Sequence, residues 1–279
     1  MGPEQPKGTI IAYYPGGGFP SVSVTGTRCD QMCEHCRSKH LKGMIPVKDN
    51  DELDDLAQSL IEKGCKGYLL SGGCDANGSV PVGGFAKAVS RTSDRLLVNV
   101  HSGFITKMEA EELAAAGASC FSVDIHQDSG EMRTVLHLDR DPSDYSELLD
   151  ILISTGVRVV PHVTVGFGYN DLALSADLIA SKGLKDVVML SMMPTEGTIV
   201  EDSVLTTDAI MDAVKILQDR GLSVILGCMR DRSLRDLERR CIEAGIDRLA
   251  NPSAETLRWA EENGYTVVKK DICCCFSEE

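Results

Sequence analysis

Apolar positions along the chain follow two alternating rhythms. Short runs dense in β-branched and aliphatic residues read as buried strands: Val22–Thr25, Gly67–Leu70, Leu96–His101, Cys120–Ile125, Val157–Val165, Val187–Met192, Ser223–Cys228 and a weaker Ile246–Ala250. Each is mostly apolar, as strands covered on both faces are. Between them the apolar residues fall three and four apart. Asp49–Lys63 gathers Leu53, Leu56, Ala57, Leu60 and Ile61 on one helical face, and Gly64 ends it. Thr106 and Glu109 have capping-box spacing for a helix through Ala116. Pro142 suits the first turn of a helix running to about Ser154. Asp171–Ser181, Thr207–Arg220, Ser233–Ala244 and Ser253–Glu262 continue the series, and Phe85–Ser90 is a shorter member.

Eight β/α pairs with short connections imply a parallel sheet with helical crossovers. Eight is also the number that closes a (β/α)8 barrel of the TIM type, so the chain is read as one α/β barrel domain. A doubly wound open sheet is the alternative. The barrel is set at residues 19–268, after an irregular lead-in over 1–18 and before a Cys-rich tail over 269–279. A length of 279 residues suits one such domain.

In a parallel barrel, functional groups collect at the C-terminal ends of the strands. Those ends are chemically rich here. The first is followed by Cys29, Cys33 and Cys36, a C-x3-C-x2-C; the second by Ser71-Gly72-Gly73-Cys74-Asp75. The fourth carries Asp124 and His126, the fifth Gly166 and Gly168, the sixth Met192-Met193-Pro194, and the seventh Cys228 and Arg230. Random placement of 11 cysteines would give roughly 0.02 such triples, so the motif is not accidental. Three thiolates on one loop can hold three irons of a [4Fe-4S] cube and leave the fourth open. Zinc, with His35 or His40 as a fourth ligand, is the alternative.

A C-x3-C-x2-C after the first strand of a barrel resembles the radical S-adenosylmethionine (radical SAM) superfamily. The resemblance continues along residues 20 to 230. Ser71, Gly72 and Gly73 are similar to the glycine motif that binds the cofactor's methionyl amino group. Gly166 and Gly168 resemble the glycines beside its adenine. Met193-Pro194-Thr195-Glu196-Gly197-Thr198 is similar to the P-x-x-G-T segment of biotin synthase-like members, and Asp124 matches a ribose-contacting position. The resemblance implies a [4Fe-4S] cluster, bound S-adenosylmethionine, its reductive cleavage to a 5′-deoxyadenosyl radical, and hydrogen abstraction from an unactivated C–H bond. Asp124 and His126 are the candidate catalytic residues. Arg230, beside Cys228, is a candidate for binding a cofactor or substrate carboxylate, against the alternative of a salt bridge.

Segments Phe19–Gly26, Ser71–Asp75 and His137–Arg140 are similar to one subunit of the two-component lipoyl synthases. That narrower likeness implies sulfur insertion into an octanoyl chain and an auxiliary [4Fe-4S] cluster as sulfur source. Candidate ligands are Cys74, Cys228, Cys273, Cys274 and Cys275. Neighbouring residues in an extended chain point to opposite faces, so all three tail cysteines serve one metal only if the tail turns. The chain departs from single-chain lipoyl synthase: no cysteine precedes Cys29, and no Arg-Ser-Ser-Tyr element stands near its end. A single-cluster mutase, lyase or cofactor-biosynthesis enzyme is the alternative activity. A cluster-carrying barrel without catalysis is the non-enzymatic one.

Composition narrows the partners. Asp plus Glu outnumber Lys plus Arg by 42 to 28, a net charge of −14 that argues against nucleic acid. No apolar run approaches the length of a membrane span. An odd cysteine count without an export signal argues against a disulfide framework and points to a reducing cytoplasm; the cluster that the resemblance implies adds an anaerobic setting. Expected partners are a small ferredoxin- or flavodoxin-type reductant, a second radical SAM subunit and a lipoyl-carrier protein.

Overall fold

The computed structural model describes residues 7–202 and 205–276. Its strands are β1 Gly8–Tyr13, β2 Ser21–Ser23, β3 Ile45–Pro46, β4 Gly67–Ser71, β5 Leu97–His101, β6 Cys120–Asp124, β7 Arg158–Val165, β8 Asp186–Ser191, β9 Ser223–Leu226, β10 Arg248–Ala250 and β11 Tyr265–Lys270. Its helices are α1 Asn50–Glu62, α2 Ala86–Thr92, α3 Lys107–Ala115, α4 Ser129–Thr134, α5 Pro142–Ser154, α6 Tyr169–Ser181, α7 Thr207–Gln218, α8 Leu237–Glu243 and α9 Ala254–Glu262.

Every predicted strand is present. The eight lie side by side in one sheet whose full order is β11-β1-β10-β9-β8-β7-β6-β5-β4-β2-β3. All its pairings among the described residues are parallel. This is the single-domain barrel of the TIM type with an open seam. β10 pairs with β1 rather than with β2, and β11 lies beyond β1. Tight packing takes over near the seam: a Cβ on Gly18 would stand 3.1 Å from the Asp271 carbonyl oxygen.

The helix signals are realised in atoms. Asp49 accepts a hydrogen bond from Glu52 N–H at the start of α1, and Leu53, Ala57 and Leu60 are its buried stripe. Thr106 and Glu109 form the full capping box of α3. Pro142 opens α5. α4 was not predicted; it is a single short segment capped by the Asp128 carboxylate.

Two boundaries need correction. The lead-in placed at 1–18 is not irregular throughout, because Gly8–Tyr13 is β1, paired on both sides. Residues 1–6 lie outside the described residues. The tail placed at 269–279 begins inside β11, and residues 271–276 then turn into the barrel. Residues 277–279 lie outside the described residues.

The period-2 alternation of the strands sorts side chains into two apolar bodies. Odd positions such as Phe121, Val123, Val159 and Val163 face the helices. Cys120, Val160, Val188, Ile225 and Ala250 face the bore, with Tyr13 and Phe19. TIM-type barrels fill their bore with layers of strand side chains. Here Cys274, Cys275 and Phe276 complete the filling, all under 9% exposed. The turn is held from below: Arg158 Nε donates to the Cys275 carbonyl oxygen at 2.7 Å.

Candidate active site

The cysteine loop leaves the C-terminal end of β2 and is tightly wound. Met32, Arg37 and Ser38 have positive φ. The Arg37 N–H donates to the Cys33 carbonyl at 2.8 Å, which brings Cys33 and Cys36 together. Their sulfurs and a ring nitrogen of His35 lie within 4.8 Å of one another. The β4 loop buttresses this loop from the side. A Cβ on Gly73 would stand 2.0 Å from the Arg28 carbonyl oxygen and 2.6 Å from Cys29 Cβ. Gly73 N–H donates to Thr25 Oγ1 at 2.7 Å, and Asp30 N–H to the Cys74 carbonyl at 2.7 Å. Only a residue without a side chain permits this approach. Gly73 is therefore required first by the cysteine loop itself.

Cys29, Cys33 and Cys36 open on a cavity of about 270 Å³, whose wall also holds Ser71, Gly72, Gly73, Asp124 and His126. Ser71 is fixed by donating its hydroxyl to the His101 carbonyl at 2.9 Å. The Cys36 thiol is pulled down to about 4 by accepting hydrogen bonds from Cys33 and His35. The adjoining Cys33 thiol is correspondingly pushed up, by its hydrogen bond to Cys36 and by burial.

Asp124 and His101 form the cavity floor. The carboxylate oxygen Oδ2 lies 3.3 Å from His101 Nε2. Burial pushes Asp124 up, but His101, His162 and His126 together hold it well below the ordinary carboxylate range. His101 shows the reciprocal effect: burial opposes its charge, and Asp124 outweighs burial and raises it. His162 stacks near-parallel to His101 at 5.7 Å between ring centroids. Burial lowers His162. His126 is buried, wedged edge-on against Phe167 at 4.8 Å, with Nδ1 3.6 Å from Asp171 Oδ2. Asp171 is itself fixed by accepting the Asp128 N–H at 2.8 Å.

Other predicted site residues fall elsewhere. Gly166 and Gly168 line a smaller neighbouring cavity of about 130 Å³, and Phe167 between them reaches the main one. Gly166 has φ +120, and a Cβ there would meet Met192 Cγ at 2.8 Å. Pro194 is exposed, while its neighbours Met193 and Thr195 line the cavity. Met192 and Met193 both face it, since β8 ends at Ser191 and the strand alternation stops there.

Arg230, the candidate for a cofactor or substrate carboxylate, does not line the cavity and binds a carboxylate of the protein instead. It is 2% exposed, and its guanidinium donates to the carbonyls of Gly227, Ala250 at 2.8 Å and Asn251 at 3.2 Å, and to Glu238 Oε1 at 2.5 Å. The planar fork is consumed inside the protein, which is the salt-bridge alternative in buried form.

The cysteines divide into two groups. Cys74 stands with the first loop, where Cys29 and Cys36 contribute to its raised thiol after burial does. Among the described residues the tail cysteines group without it. Cys273, Cys274 and Cys275 turn back on themselves through the Phe276 N–H to Cys273 carbonyl bond of 3.1 Å. Their sulfurs lie within 4.8 Å of one another. Burial raises the Cys228 thiol, and Cys273 adds to that. Sequence reasoning missed His162, Asn99 and Phe167. For His162 and Asn99 a signal was available: each is a polar residue at an inward position of an apolar strand.

The radical SAM superfamily model matches residues 23–178, more than half of the chain. The chain belongs to the radical SAM superfamily. This family uses a [4Fe-4S] cluster and S-adenosylmethionine. The site fits both: three thiols open on one cavity, and bare glycine backbone at Gly72 and Gly73 forms part of its wall. The zinc alternative for this loop is thereby set aside. In fold the protein is similar to methylornithine synthase (PylB), with a TM-score of 0.63 and 14% identity over 93% of this chain and 83% of that one. It is similar to the FeFe-hydrogenase maturase HydG from Carboxydothermus hydrogenoformans, at 0.64 and 15% over 95% and 70%. It is also similar to Streptococcus suis SuiB bound to S-adenosylmethionine, at 0.61 and 12% over 79% and 52%. These identities establish the fold alone. No curated protein matches the sequence. Among the described residues no helix is long and apolar enough to cross a membrane.

Proposed function

We propose that this radical SAM enzyme forms carbon–sulfur bonds on an unactivated chain, with an octanoyl group on a carrier protein as substrate. The cofactors, when bound, supply a 5′-deoxyadenosyl radical able to abstract hydrogen from an unactivated C–H bond. Cys29, Cys33 and Cys36 would hold the cluster. Ser71, Gly72 and Gly73 would shape the wall that receives the methionyl part. Asp124, held ionised by His101, would accept hydroxyl hydrogen bonds from a ribose. Phe167, Met192 and Met193 keep the carbon centre away from water, which protects a radical from quenching.

The observation carrying the sulfur-insertion reading is the convergence of three thiols in the bore, on the far side of the Asp124–His101 floor from the cavity. The sequence likeness of residues 19–26, 71–75 and 137–140 to two-component lipoyl synthases adds to it. A second radical SAM subunit, a lipoyl-carrier protein and a small reductant protein are the partners this reading requires. A single-cluster mutase or lyase is the second reading: Cys74, one of the candidate ligands of a second centre, stands with the first loop, where its carbonyl accepts the Asp30 N–H at 2.7 Å.

The test is an anaerobic assay with dithionite, S-adenosylmethionine and a perdeuterated octanoyl peptide, with and without a candidate second subunit. Sulfur insertion predicts deuterium in 5′-deoxyadenosine and a thiolated peptide. Cofactor cleavage without deuterium transfer in either condition would reject the octanoyl substrate and leave the single-cluster reading.

A further inference from the structure

Residues 135–141, between α4 and α5, run along one wall of the cavity and present two faces. Leu136 and Leu138 line the cavity, while His137 between them turns to the cysteine loop. His137 has φ +54. Glycine takes that left-handed conformation after a helix at least cost. A histidine there is explained by what its ring reaches. Nδ1 lies 2.7 Å from the Gln31 carbonyl oxygen. A carbonyl only accepts, so this nitrogen carries a proton and donates it. Nε2 lies 3.2 Å from Glu34 Oε1. The ring thereby grips the loop on both sides of Met32 and Cys33, where Met32 has φ +45. Two further bonds join the segments: Glu34 N–H donates to the Val135 carbonyl at 2.8 Å, and the Cys33 thiol to the Leu136 carbonyl at 3.4 Å. The far end of the segment fastens to the β4 loop. Arg140 Nε donates to the Asn77 carbonyl at 3.0 Å, and a Cβ on Gly78 would stand 2.9 Å from Leu138 Cδ1.

We propose that His137 is a positioning residue for the radical SAM reaction, bridging Gln31 and Glu34 to hold the cysteine loop in the form that receives the [4Fe-4S] cluster. The Cys33 thiol ties the loop to Leu136 only while it keeps its proton. The ligand to iron is the thiolate, which has no hydrogen to donate. On loading, the Leu136 carbonyl loses this donor. The hold on the loop then passes to Glu34 N–H and to the two contacts of His137. The bridge therefore matters more in the loaded protein than in the apo protein. Groups that orient ligands without touching the metal govern its retention in the same way. Leu136 and Leu138 are the cavity face of the same segment, so a loop released from His137 also shifts the cavity wall.

His137 would serve any reaction of this family, whatever the substrate, and its test reads iron rather than product. Three full-length variants separate its contacts. His137→Asn keeps a donor at the Nδ1 position and tolerates the left-handed backbone. His137→Gln keeps a donor only at the Nε2 position, and His137→Ala keeps neither. Each is reconstituted anaerobically, and iron release to a ferrous chelator is timed. His137→Ala should release iron about tenfold faster than wild type. His137→Gln should follow it, and His137→Asn, which keeps the shorter contact, should stay within about threefold of wild type. EPR of the reduced cluster with S-adenosylmethionine should change in His137→Ala and His137→Gln. The apo proteins should unfold at nearly the same temperature as apo wild type, because the Cys33–Leu136 bond is intact there. Wild-type iron release and EPR in His137→Ala would overturn the proposal. Iron loss that merely tracks a fall in apo unfolding temperature would overturn it too, and assign His137 to folding. Should His137→Ala not fold, wild-type release in both His137→Asn and His137→Gln would overturn it. Octanoyl turnover does not enter the test, so this proposal and the sulfur-insertion reading fail separately.

Discussion

At the scale of single residues, two positions carry sharp consequences. Gly73 touches the cysteine loop so closely that even a methyl group collides with the Arg28 carbonyl. Gly73→Ala should cost about 1–3 kcal/mol and displace the loop. Iron bound after anaerobic reconstitution is expected to fall several-fold, and unchanged iron would mean the loop yields without cost. Arg230 was expected at the cofactor and is found in the core. Arg230→Met removes the buried cation that stabilises the ionised Glu238 carboxylate against burial, and leaves it Arg232 at 3.2 Å and the Ser253 and Thr256 donors. Removing one partner of such a pair costs about 3–5 kcal/mol. Urea unfolding should show that loss, while the Kd for S-adenosylmethionine stays within twofold at temperatures where the variant is folded. A large rise in Kd instead would return Arg230 to the cofactor. Both residues were picked out in the sequence, and for both the reason lay in contacts that spacing cannot reveal.

Among elements, the C-terminal turn is the part whose role changes most between sequence and structure. In the sequence the three consecutive cysteines belong to a tail set apart from the barrel. Instead the turn is an internal plug, with Phe276 against Phe19 at 5.6 Å between ring centroids. Phe276→Ala empties a well-packed site, and the expected cost is about 3 kcal/mol. Thermal unfolding measures it; an unchanged midpoint would show that the turn does not stay docked. β1 was also missed. Its Gly-Thr-Ile-Ile-Ala-Tyr pattern is a fair strand signal, but eight other strands already satisfied the barrel count. Only its pairing with β10 and β11 reveals it as part of the sheet.

Over the whole molecule, several buried carboxylates are held ionised, and Asp186 is one that contributes to acid stability away from the cavity. Asp186 on β8 binds Arg158 on β7 and Arg248 on β10. Burial works against its charge, but Arg248 and then Arg158 hold its carboxyl below the ordinary range. A depressed carboxylate contributes stability that is present above its unfolded pKa, about 3.9, and is lost as pH falls through the folded value. In a Cys29→Ala/Cys33→Ala/Cys36→Ala background, free of the acid-labile cluster, the stability difference between Asp186 and Asp186→Asn should be constant from pH 7 to about 5. It should shrink below about pH 4. A difference independent of pH would show that the two arginines do not act through the carboxylate's charge.

The sequence by itself determined the eight central strands, the helix caps, and the cysteine loop with the Ser71–Gly73 loop beside it. These are local matters: period, capping geometry and motif spacing are written within a few residues of each other. Only the tertiary structure decided where the sheet stays open, that the last residues enter the bore, and that Asp124 is matched to His101 while Arg230 is spent on Glu238. Each of these depends on residues far apart in the chain meeting in space. The energies involved, desolvation of charge and close packing, exist only once that meeting has happened.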